Sequence, residues 1–532
     1  MGFVAHVLYS HEFAYLHYNC MSQVLVIDFG AQYAQLIARR VRELGFSAEL
    51  VPFNAPIDTF RRARALILSG GPSSVYEKGA PRLRQEAFAL GIPILGICYG
   101  QQLTCYLTGG KVKRMKQREY GPAQVSITSP SPLTAGLPRA SRVWMSHGDA
   151  VARLPKGTRA YGVTAHSPYA IVGDAQKKIW GVQFHPEVVH TQFGKEVLEN
   201  FLTRIAGLKK DWSMPSFVAS AMKEIKAQVG EGYAIAALSG GVYSAVATTL
   251  VHRAIGRRLT AIFVNHGLLR LDEEAQVEKA MRRMLKSDLT VIHASQLFLS
   301  KLKGISDPEQ KRKIIGHQFI DVFQREAKRL KSRPAFLVQG TLYPDVIESA
   351  SGQSGKTAST IKTHHNVGGL PATMRLRLVE PLRMLFKDEV REVGKLLGLP
   401  EAIVQRQPFP GPGLAVRIIG EVTEERLDIL KHADAIVRET LDPLAKSLKL
   451  WQYYAAFLPG VRSVGVQGDE RTYAHPIIVR AVSSDDAMTA DWARIPEDVL
   501  ATISTRITNE VSGVNRVLYD LTSKPPGTIE WE

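Results

Sequence analysis

Apolar residues in the first part of the chain form short runs that alternate with segments in which they recur every three or four positions. The runs predict buried strands, and the periodic segments predict amphipathic helices. The predicted strands are Gln23–Phe29, Ala65–Leu68, Ile92–Ile97, Tyr169–Gly173 and Ile179–Phe184, and the predicted helices are Gln32–Leu44, Gln101–Leu107 and Gln192–Ile205. Such alternation is typical of a mainly parallel sheet with helices on its faces, so residues 22–207 are predicted to form an α/β domain.

A second α/β domain is predicted over residues 216–407, after a polar, proline-bearing linker at 208–215. Its predicted strands are Tyr233–Leu238, Leu259–Val264, Leu289–His293 and Ala335–Gln339, and a helix is predicted from Ser244. The segment Ser351–Gly369 is rich in Ser, Gly, Lys and His with little apolar pattern, which predicts a mobile lid.

A third domain is predicted over residues 408–532. The segment Arg406–Gly413 (RQPFPGPG) holds three prolines and two glycines, which excludes a helix or a central strand. Beyond it the predicted elements are helices Thr423–Leu441 and Pro496–Val511 and strands near Val461–Val466, Pro476–Val482 and Val514–Tyr519. The expected fold class is therefore α/β, with two doubly wound parallel-sheet domains followed by a C-terminal α+β domain.

Composition narrows the class of protein. The 532 residues include only three cysteines, Cys20, Cys98 and Cys105, without a CxxC pair, which favours a reducing cytoplasm over a disulfide framework or zinc site. No apolar run is long enough to span a membrane. The net charge of +17 suits either nucleic acid or small phosphorylated substrates. Because no basic arm or nucleic-acid-binding motif accompanies the charge, we expect phosphorylated substrates and no nucleic acid or membrane partner.

Residues 1–21 precede the first predicted strand. They lack the charged start and long apolar centre of a signal peptide, so we expect a disordered N-terminal extension.

A candidate nucleophile lies between a predicted strand and helix, in the pentapeptide Gly96–Gly100 (GICYG). It is the cysteine counterpart of the GxSxG elbow, in which small residues allow a tight turn at a helix N-terminus. A lone cysteine is more often an inert core residue, so this pentapeptide alone leaves both interpretations open.

Two further motifs favour the nucleophile. Gly181–Glu187 (GVQFHPE) ends a predicted strand, and there His185 can act as general base with Glu187 orienting it. A metal pair is the alternative, but no third ligand accompanies it. Leu68–Pro72 (LSGGP) ends another strand, and its backbone N–H groups could form an oxyanion hole with that of Tyr99.

The motifs LSGGP, GICYGQQ and GVQFHPE, in this order, resemble the class I (triad-type) glutamine amidotransferases. The resemblance implies that Cys98 attacks the glutamine amide and releases ammonia through a glutamyl thioester. It also implies that Cys98, His185 and Glu187 are the triad and that Gly71 and Tyr99 supply the oxyanion N–H groups.

A candidate phosphate-binding loop, Ser239–Ser244 (SGGVYS), joins a strand to a helix. Successive N–H groups of a glycine-rich turn at a helix N-terminus bind phosphate, although SGG alone is more often a plain turn. With the preceding strand the loop resembles the SGGxDS loop of enzymes that split ATP into AMP and pyrophosphate.

Six more motifs, together with those above, resemble the GMP synthase family over residues 22–532. They are Phe263–Arg270, Lys311–Gly316, Gln339–Ser349, Lys362–Gly369, Pro408–Gly413 and Lys524–Glu532. The resemblance implies that ATP, with Mg²⁺, adenylates xanthosine monophosphate (XMP), and that ammonia from glutamine then displaces AMP to give GMP. It also implies a homodimer formed through the third domain.

The same resemblance implies the residues of the synthetase site. Pyrophosphate would be held by Ser239, Gly240, Gly241, Val242, Tyr243 and Ser244, and XMP by Arg312, Gln452, Lys524 and Glu530. Asp345 and Glu348 are candidates for Mg²⁺ or for the lid, with a solvated helix face as the alternative.

Four positions depart from the family pattern. Ala245, His317 and Gln407 stand where serine, arginine and histidine are usual, and the fourth position is in the phosphate-binding loop. The family loop reads SGGVDS, and here Tyr243 replaces the carboxylate with a bulky group that is neutral near pH 7. The synthetase step is therefore expected to be impaired. The alternatives are a weakened homologue that acts as a glutaminase or binds a nucleotide or partner, and a tRNA-modifying enzyme with the same loop.

Overall fold

The computed structural model describes residues 22–31, 33–345, 376–467, 470–484 and 489–532. The predicted extension at 1–21, the predicted lid Ser351–Gly369 and the candidate Glu348 lie outside these residues. The chain divides into two compact units between Ser220 and Ala221. No helix in the described part is both long and apolar enough to cross a membrane.

The first unit contains a nine-stranded sheet and its flanking helices. The strands are β1 (Val24–Asp28), β2 (Ala48–Pro52), β3 (Ala65–Leu68), β4 (Ile94–Ile97), β5 (Lys111–Ile127), β6 (Ala140–Arg153), β7 (Arg159–Val163), β8 (Ile171–Asp174) and β9 (Ile179–Val182). The helices are α1 (Ala34–Glu43), α2 (Ile57–Arg61), α3 (Tyr99–Leu107) and α4 (Gly194–Asn200), and α5 (Met214–Val229) crosses the division.

The sheet order is β2-β1-β3-β4-β9-β8-β7-β5-β6. The pairs from β2 to β9 are parallel, and those from β9 to β6 are antiparallel. Alternate residues of β1 enter separate hydrophobic clusters on the two faces, Val24 and Val26 on one and Leu25 and Ile27 on the other. Burial on both faces explains why the parallel strands are unbroken apolar runs in the sequence.

The predicted linker is anchored to the first unit. Asp211 accepts hydrogen bonds from the backbone N–H and the hydroxyl of Ser47, at 2.7 and 2.6 Å. The Trp212 N–H donates to the Gly45 carbonyl at 3.0 Å. The segment is therefore fixed on this unit as far as Trp212.

The second unit contains two five-stranded sheets. Its strands are β10 (Ala234–Leu238), β11 (Leu259–Asn265), β12 (Leu289–His293), β13 (Phe336–Val338), β14 (Arg377–Val379), β15 (Gln452–Phe457), β16 (Ser463–Gln467), β17 (Glu470–Ser483), β18 (Asp491–Trp492) and β19 (Val514–Tyr519). Its helices are α6 (Val242–Ile255), α7 (Glu273–Leu285), α8 (Ser295–Leu302), α9 (Pro308–Arg329), α10 (Lys387–Leu396), α11 (Glu401–Val404), α12 (Glu424–Leu441) and α13 (Glu497–Glu510).

One sheet of this unit, ordered β12-β11-β10-β13-β14, is parallel throughout. In the other, β17 pairs antiparallel with β15, β16 and β18 and parallel with β19. The predicted fold class, α/β with a C-terminal α+β part, is confirmed. The helix predicted from Ser244 begins two residues earlier, at Val242.

A single hydrophobic cluster runs through the second unit. It joins Ile235 and Ile262 of the parallel sheet to Leu430, Phe457 and Ile477 of the C-terminal part. The domain boundary predicted between residues 407 and 408 stays a prediction, since residues on both sides of it share this core.

Candidate functional site

Cys98 occupies the turn between β4 and α3. Its backbone has φ 51° and ψ −106°, a conformation that non-glycine residues rarely adopt and that is concentrated at functional sites. The residue is buried, and its Sγ lies 3.6 Å from the Ser146 carbonyl oxygen of β6. The strained turn thus presents the thiol at the carboxyl edge of the parallel strands.

His185 and Glu187 form a buried pair immediately after β9. The His185 Nδ1–H donates to the Glu187 carboxylate at 2.7 Å. Burial lowers the pKa of His185, but the charges of Glu187 and Cys98 outweigh burial and raise that pKa well above its ordinary value. A histidine held in this way can accept the proton of a thiol and remain charged.

The loop Leu68–Pro72 lies beside both groups. A Cβ atom on Gly70 would come within 3.1 Å of His185 Cε1 and 3.9 Å of Cys98 Cβ, so glycine keeps the space between them open. A Cβ on Gly71 would lie 3.3 Å from Tyr99 Cδ1. The structure therefore brings together all five residues predicted for the glutaminase site.

Contacts with β6 hold the histidine in place. The His185 N–H donates to the Trp144 carbonyl at 3.0 Å. Thr191 donates through its hydroxyl to the His185 carbonyl at 2.6 Å and accepts from the Trp144 N–H at 3.1 Å. The sequence motifs did not reveal these supporting residues, which depend on an antiparallel part of the sheet that was not predicted.

The phosphate-binding loop connects β10 to α6. Gly240 has φ +77°, the left-handed region that glycine adopts readily. The Ser239 and Ser244 hydroxyls lie 3.2 Å apart, and the Ser244 hydroxyl donates to the Gly241 carbonyl at 3.0 Å. Val242, Tyr243 and Ser244 form the first turn of α6, so their N–H groups point from a helix N-terminus, as anion binding requires.

Tyr243 is half-buried among charged groups. Burial raises the pKa of its phenol, and among its charged neighbours Arg391 opposes this shift while Asp345 and Asp388 add to it. The carboxylate of Asp345 accepts a hydrogen bond from the Leu342 N–H at 2.9 Å. The charges of Asp345 and Asp388 thus act on Tyr243, the residue that stands where the SGGVDS pattern has a carboxylate.

These carboxylates fit magnesium only together with a phosphate. In the described part of the chain no group of three or more His, Cys, Asp or Glu side chains could hold a metal ion by itself. Mg²⁺ in ATP-dependent enzymes is typically bound by one or two carboxylates, water and substrate phosphates. Asp345 and Asp388, whose charges act on Tyr243 in the first turn of α6, are the candidates for that role.

Two of the predicted XMP contacts, Gln452 and Glu530, touch each other, with the Gln452 amide donating to the carboxylate. Arg417 also donates to that carboxylate, at 2.9 and 3.1 Å. Arg417 is completely buried, with its guanidinium 4.0 Å from the Tyr454 ring centroid, and it was not predicted from the sequence.

The other two predicted XMP contacts lie on different elements, Arg312 on α9 and Lys524 at the start of the C-terminal segment Lys524–Glu532. Arg312 donates to the Glu532 carbonyl, whereas the Lys524 backbone pairs with Ala490. The neighbouring Lys311 is fully buried, and its ammonium donates to the Glu532 carboxylate at 2.5 Å and to the Ile418 carbonyl at 2.7 Å. The last residue of the segment, Glu532, is therefore fixed to α9 by charged contacts.

Two protein-family models match parts of this chain. Residues 25–205 match the model for class-I glutamine amidotransferases, and residues 439–531 match that for the GMP synthase C-terminal domain.

Relatives match over nearly the whole length. The GMP synthase [glutamine-hydrolyzing] of Clostridium novyi (strain NT) is 55% identical over 96% of this chain and 99% of its own. The protein of the same name from Clostridium acetobutylicum has the same identity and coverage. A solved structure, a glutamine amidotransferase from Thermotoga maritima, covers 35% of this chain and 99% of its own, at 21% identity and a TM-score of 0.30.

Proposed function

The chain belongs to the glutamine-hydrolysing GMP synthase family, and on that premise we propose that it makes GMP from XMP, glutamine and ATP. The observation that carries the proposal is the presence, in one chain, of the Cys98–His185–Glu187 arrangement and the phosphate-binding turn at Ser239–Ser244. The weakened-homologue and tRNA-modifying alternatives are not favoured, because 55% identity extends over 96% of the chain.

The proposal is tested by supplying glutamine labelled with ¹⁵N at the amide, together with XMP and Mg²⁺-ATP. We expect the label in the GMP amino group, with one AMP and one pyrophosphate formed per GMP. Release of labelled ammonia without GMP would contradict the proposal.

In the glutaminase half, the Cys98 sulfur attacks the side-chain carbonyl carbon of glutamine. His185 takes the thiol proton and returns it to the departing nitrogen, which leaves as ammonia. Glu187 keeps Nδ1 protonated, so Nε2 is the nitrogen that exchanges the proton. Water then hydrolyses the thioester to glutamate, with His185 again as the base. The Gly71 and Tyr99 N–H groups would stabilise the negative oxygen of each tetrahedral intermediate.

In the synthetase half, the O2 atom of XMP attacks the α-phosphorus of ATP and pyrophosphate leaves. Ammonia then adds to C2 of the adenylated XMP, and AMP leaves with the oxygen. The N–H groups of the Ser239–Ser244 turn would hold the departing pyrophosphate. Asp345 and Asp388 would hold Mg²⁺, which when bound screens the phosphate charge.

For XMP we propose Arg312, Gln452, Lys524 and Glu530. The anchoring of Glu532 on α9 and of Glu530 by Arg417 supports this proposal, because a fixed segment holds its side chains ready for a ligand. Lys524 and Arg312 suit the phosphate of XMP by charge. Glu530 and Gln452 suit the polar edge of the base.

Replacing Lys524 by alanine should raise the KM for XMP roughly tenfold or more, the effect of losing one charge-assisted hydrogen bond of about 1.5–3 kcal/mol. The KM for ATP should change much less. Steady-state GMP formation with ammonia as donor measures both constants. The exposed Lys446→Ala variant is the control, and an unchanged KM for XMP in the Lys524 variant would remove that residue from the site.

We also propose a homodimer, formed through the C-terminal sheet. Val464 of β16 and Tyr473 of β17 lie opposite each other, and both are exposed, at 50% and 60%. Val466, two residues along the same strand, is 71% exposed. Neighbouring exposed apolar side chains on one sheet favour a protein–protein contact.

Val466→Glu should convert the protein from dimer to monomer in sedimentation velocity at micromolar concentration. A buried unpaired carboxylate opposes association because its desolvation is uncompensated. Glu510→Gln, on the exposed end of α13, should remain dimeric. If the parent chain is already monomeric, or if the Val466 variant stays dimeric, this interface is wrong.

As an enzyme that depends on a free thiol, the protein is proposed to work in the reducing cytoplasm.

A further inference from the structure

The hairpin of β5 and β6 buries a carboxyl–imidazole pair beside the glutaminase site. Glu119 and His147 are 6% and 4% exposed, with 3.1 Å between Glu119 Oε2 and His147 Nε2. Thr164 donates through its hydroxyl to the same carboxyl group at 2.9 Å. The proposed glutaminase chemistry assigns no role to this pair.

An irregularity in the hairpin comes directly before Glu119. The β5–β6 register shifts between Arg114 and Glu119. Such bulges redirect side chains and are common next to active sites. Here Arg118 and Tyr120 are exposed, whereas Glu119 between them points into the protein. Burying a carboxyl group in a strand carries a desolvation cost, so a buried Glu119 indicates a specific role for this side chain.

The His147 imidazole connects Glu119 to the backbone of Asp149. His147 Nδ1–H donates to the Asp149 carbonyl oxygen at 2.9 Å. The Gln102 side chain of α3 donates to the same oxygen at 2.7 Å. The segment Ser146–Asp149 is thereby fixed from β5 on one side and from the nucleophile's own helix on the other.

This segment contacts Cys98 and the chain that follows the Leu68–Pro72 loop. Its Ser146 carbonyl lies 3.6 Å from the Cys98 sulfur. Its Asp149 carboxylate accepts from the Tyr76 hydroxyl at 3.0 Å and from the Ser74 hydroxyl, just beyond the Leu68–Pro72 loop. A displacement of the segment would therefore disturb the nucleophile and the chain that follows the Leu68–Pro72 loop.

We propose that Glu119 is a positioning residue for glutamine hydrolysis, which acts through His147 to fix the segment Ser146–Asp149 against Cys98 and against the chain that follows the Leu68–Pro72 loop. The inference rests on the proposed role of Cys98 as nucleophile. Glu119 contacts neither substrate nor reacting atoms in this scheme. Its loss leaves the imidazole buried without its partner, and the segment relaxes.

Glu119→Ala should lower kcat/KM for glutamine about 100-fold, the effect typical of misplacing reacting groups by about 1 Å. GMP formation with ammonia as donor should stay within about twofold of the parent, an allowance for ordinary variation between independent sites. Glu119→Gln should recover most of the glutamine-dependent rate, since its amide can still hydrogen-bond to His147 Nε2. Thr164→Val, which removes the hydroxyl that donates to Glu119 and accepts from the Ser167 N–H but leaves the Glu119–His147 pair in place, should cause a smaller loss.

The exposed Glu86→Ala variant in the same unit is the matched control and should behave as the parent. Full glutamine-dependent activity in Glu119→Ala would overturn the inference. So would an equal loss with both nitrogen donors, or a loss that Glu119→Gln does not recover, because either result indicates a general structural role. If Cys98→Ala lowers GMP formation equally with glutamine and with ammonia, the proposed role of Cys98 is wrong. The glutamine-dependent rates of the Glu119 variants still test whether Glu119 positions the glutaminase site.

Discussion

Cys98→Ala abolishes glutamine-dependent GMP formation and leaves ammonia-dependent GMP formation at the parent rate: this is the largest effect expected of any single substitution in the chain. Deleting the nucleophile of a catalytic triad typically costs about a millionfold in turnover. Ammonia supplied from solution does not need that step, because the synthetase reaction uses ammonia and not glutamine itself. The measurement is steady-state GMP formation with each nitrogen donor in turn.

Cys105→Ala provides a matched control. Cys105 is a second buried, free cysteine on α3, and burial raises the pKa of its thiol to about 12. It therefore stays protonated and unreactive near neutral pH, and its replacement should leave both activities in place. Equal loss with both donors in the Cys98 variant would contradict the assignment of Cys98 to ammonia production alone.

Tyr243→Asp should increase ammonia-dependent GMP formation. The phenol lies in the first turn of α6, where Asp345, Asp388 and Arg391 all act on it electrostatically. A neutral phenol is a poor magnesium ligand, and a carboxylate is a good one. One such preorganised electrostatic contact is worth about 2.7–4 kcal/mol at the transition state, so the expected gain is roughly 10²–10³-fold.

Tyr243→Asn separates charge from size, since asparagine has the dimensions of aspartate without its charge. We expect it to remain close to the parent, with ATP–pyrophosphate exchange in the presence of XMP as the second measurement. An equal gain in both variants would identify the bulk of tyrosine as the obstacle. If Tyr243→Asp adds nothing, the expectation that Tyr243 impairs the synthetase step is wrong.

Most of the parallel strands were predictable. β3, β12 and β19 have the predicted bounds, and the other parallel strands that were predicted lie within a few residues of their positions in the structure. The short parallel strands β2 and β14 were not predicted. Strands that are covered on both faces must be apolar along their length, and such runs stand out in a sequence. The glutaminase residues were predictable for a related reason, because each follows the end of such a strand or begins the next helix.

The antiparallel strands β5 and β6 were missed. Lys111–Ile127 contains several basic residues and has no regular alternation, because one face of this hairpin is largely exposed and its register is interrupted. Contacts that depend on tertiary pairing were also beyond the sequence. Glu119 meets His147 across 28 positions, and Arg417 meets Glu530 across 113. No local pattern marks either pair.

The continuous core of the second unit limits how the gene for this protein could be divided. The hydrophobic cluster that joins Ile235 to Ile477 would be opened by a cut between residues 407 and 408, and each fragment would expose apolar surface. Such fragments would be expected to require co-expression to remain soluble. The first unit encloses its own clusters on both faces of its sheet, so it is the part that can be exchanged, fused or inherited as a separate gene.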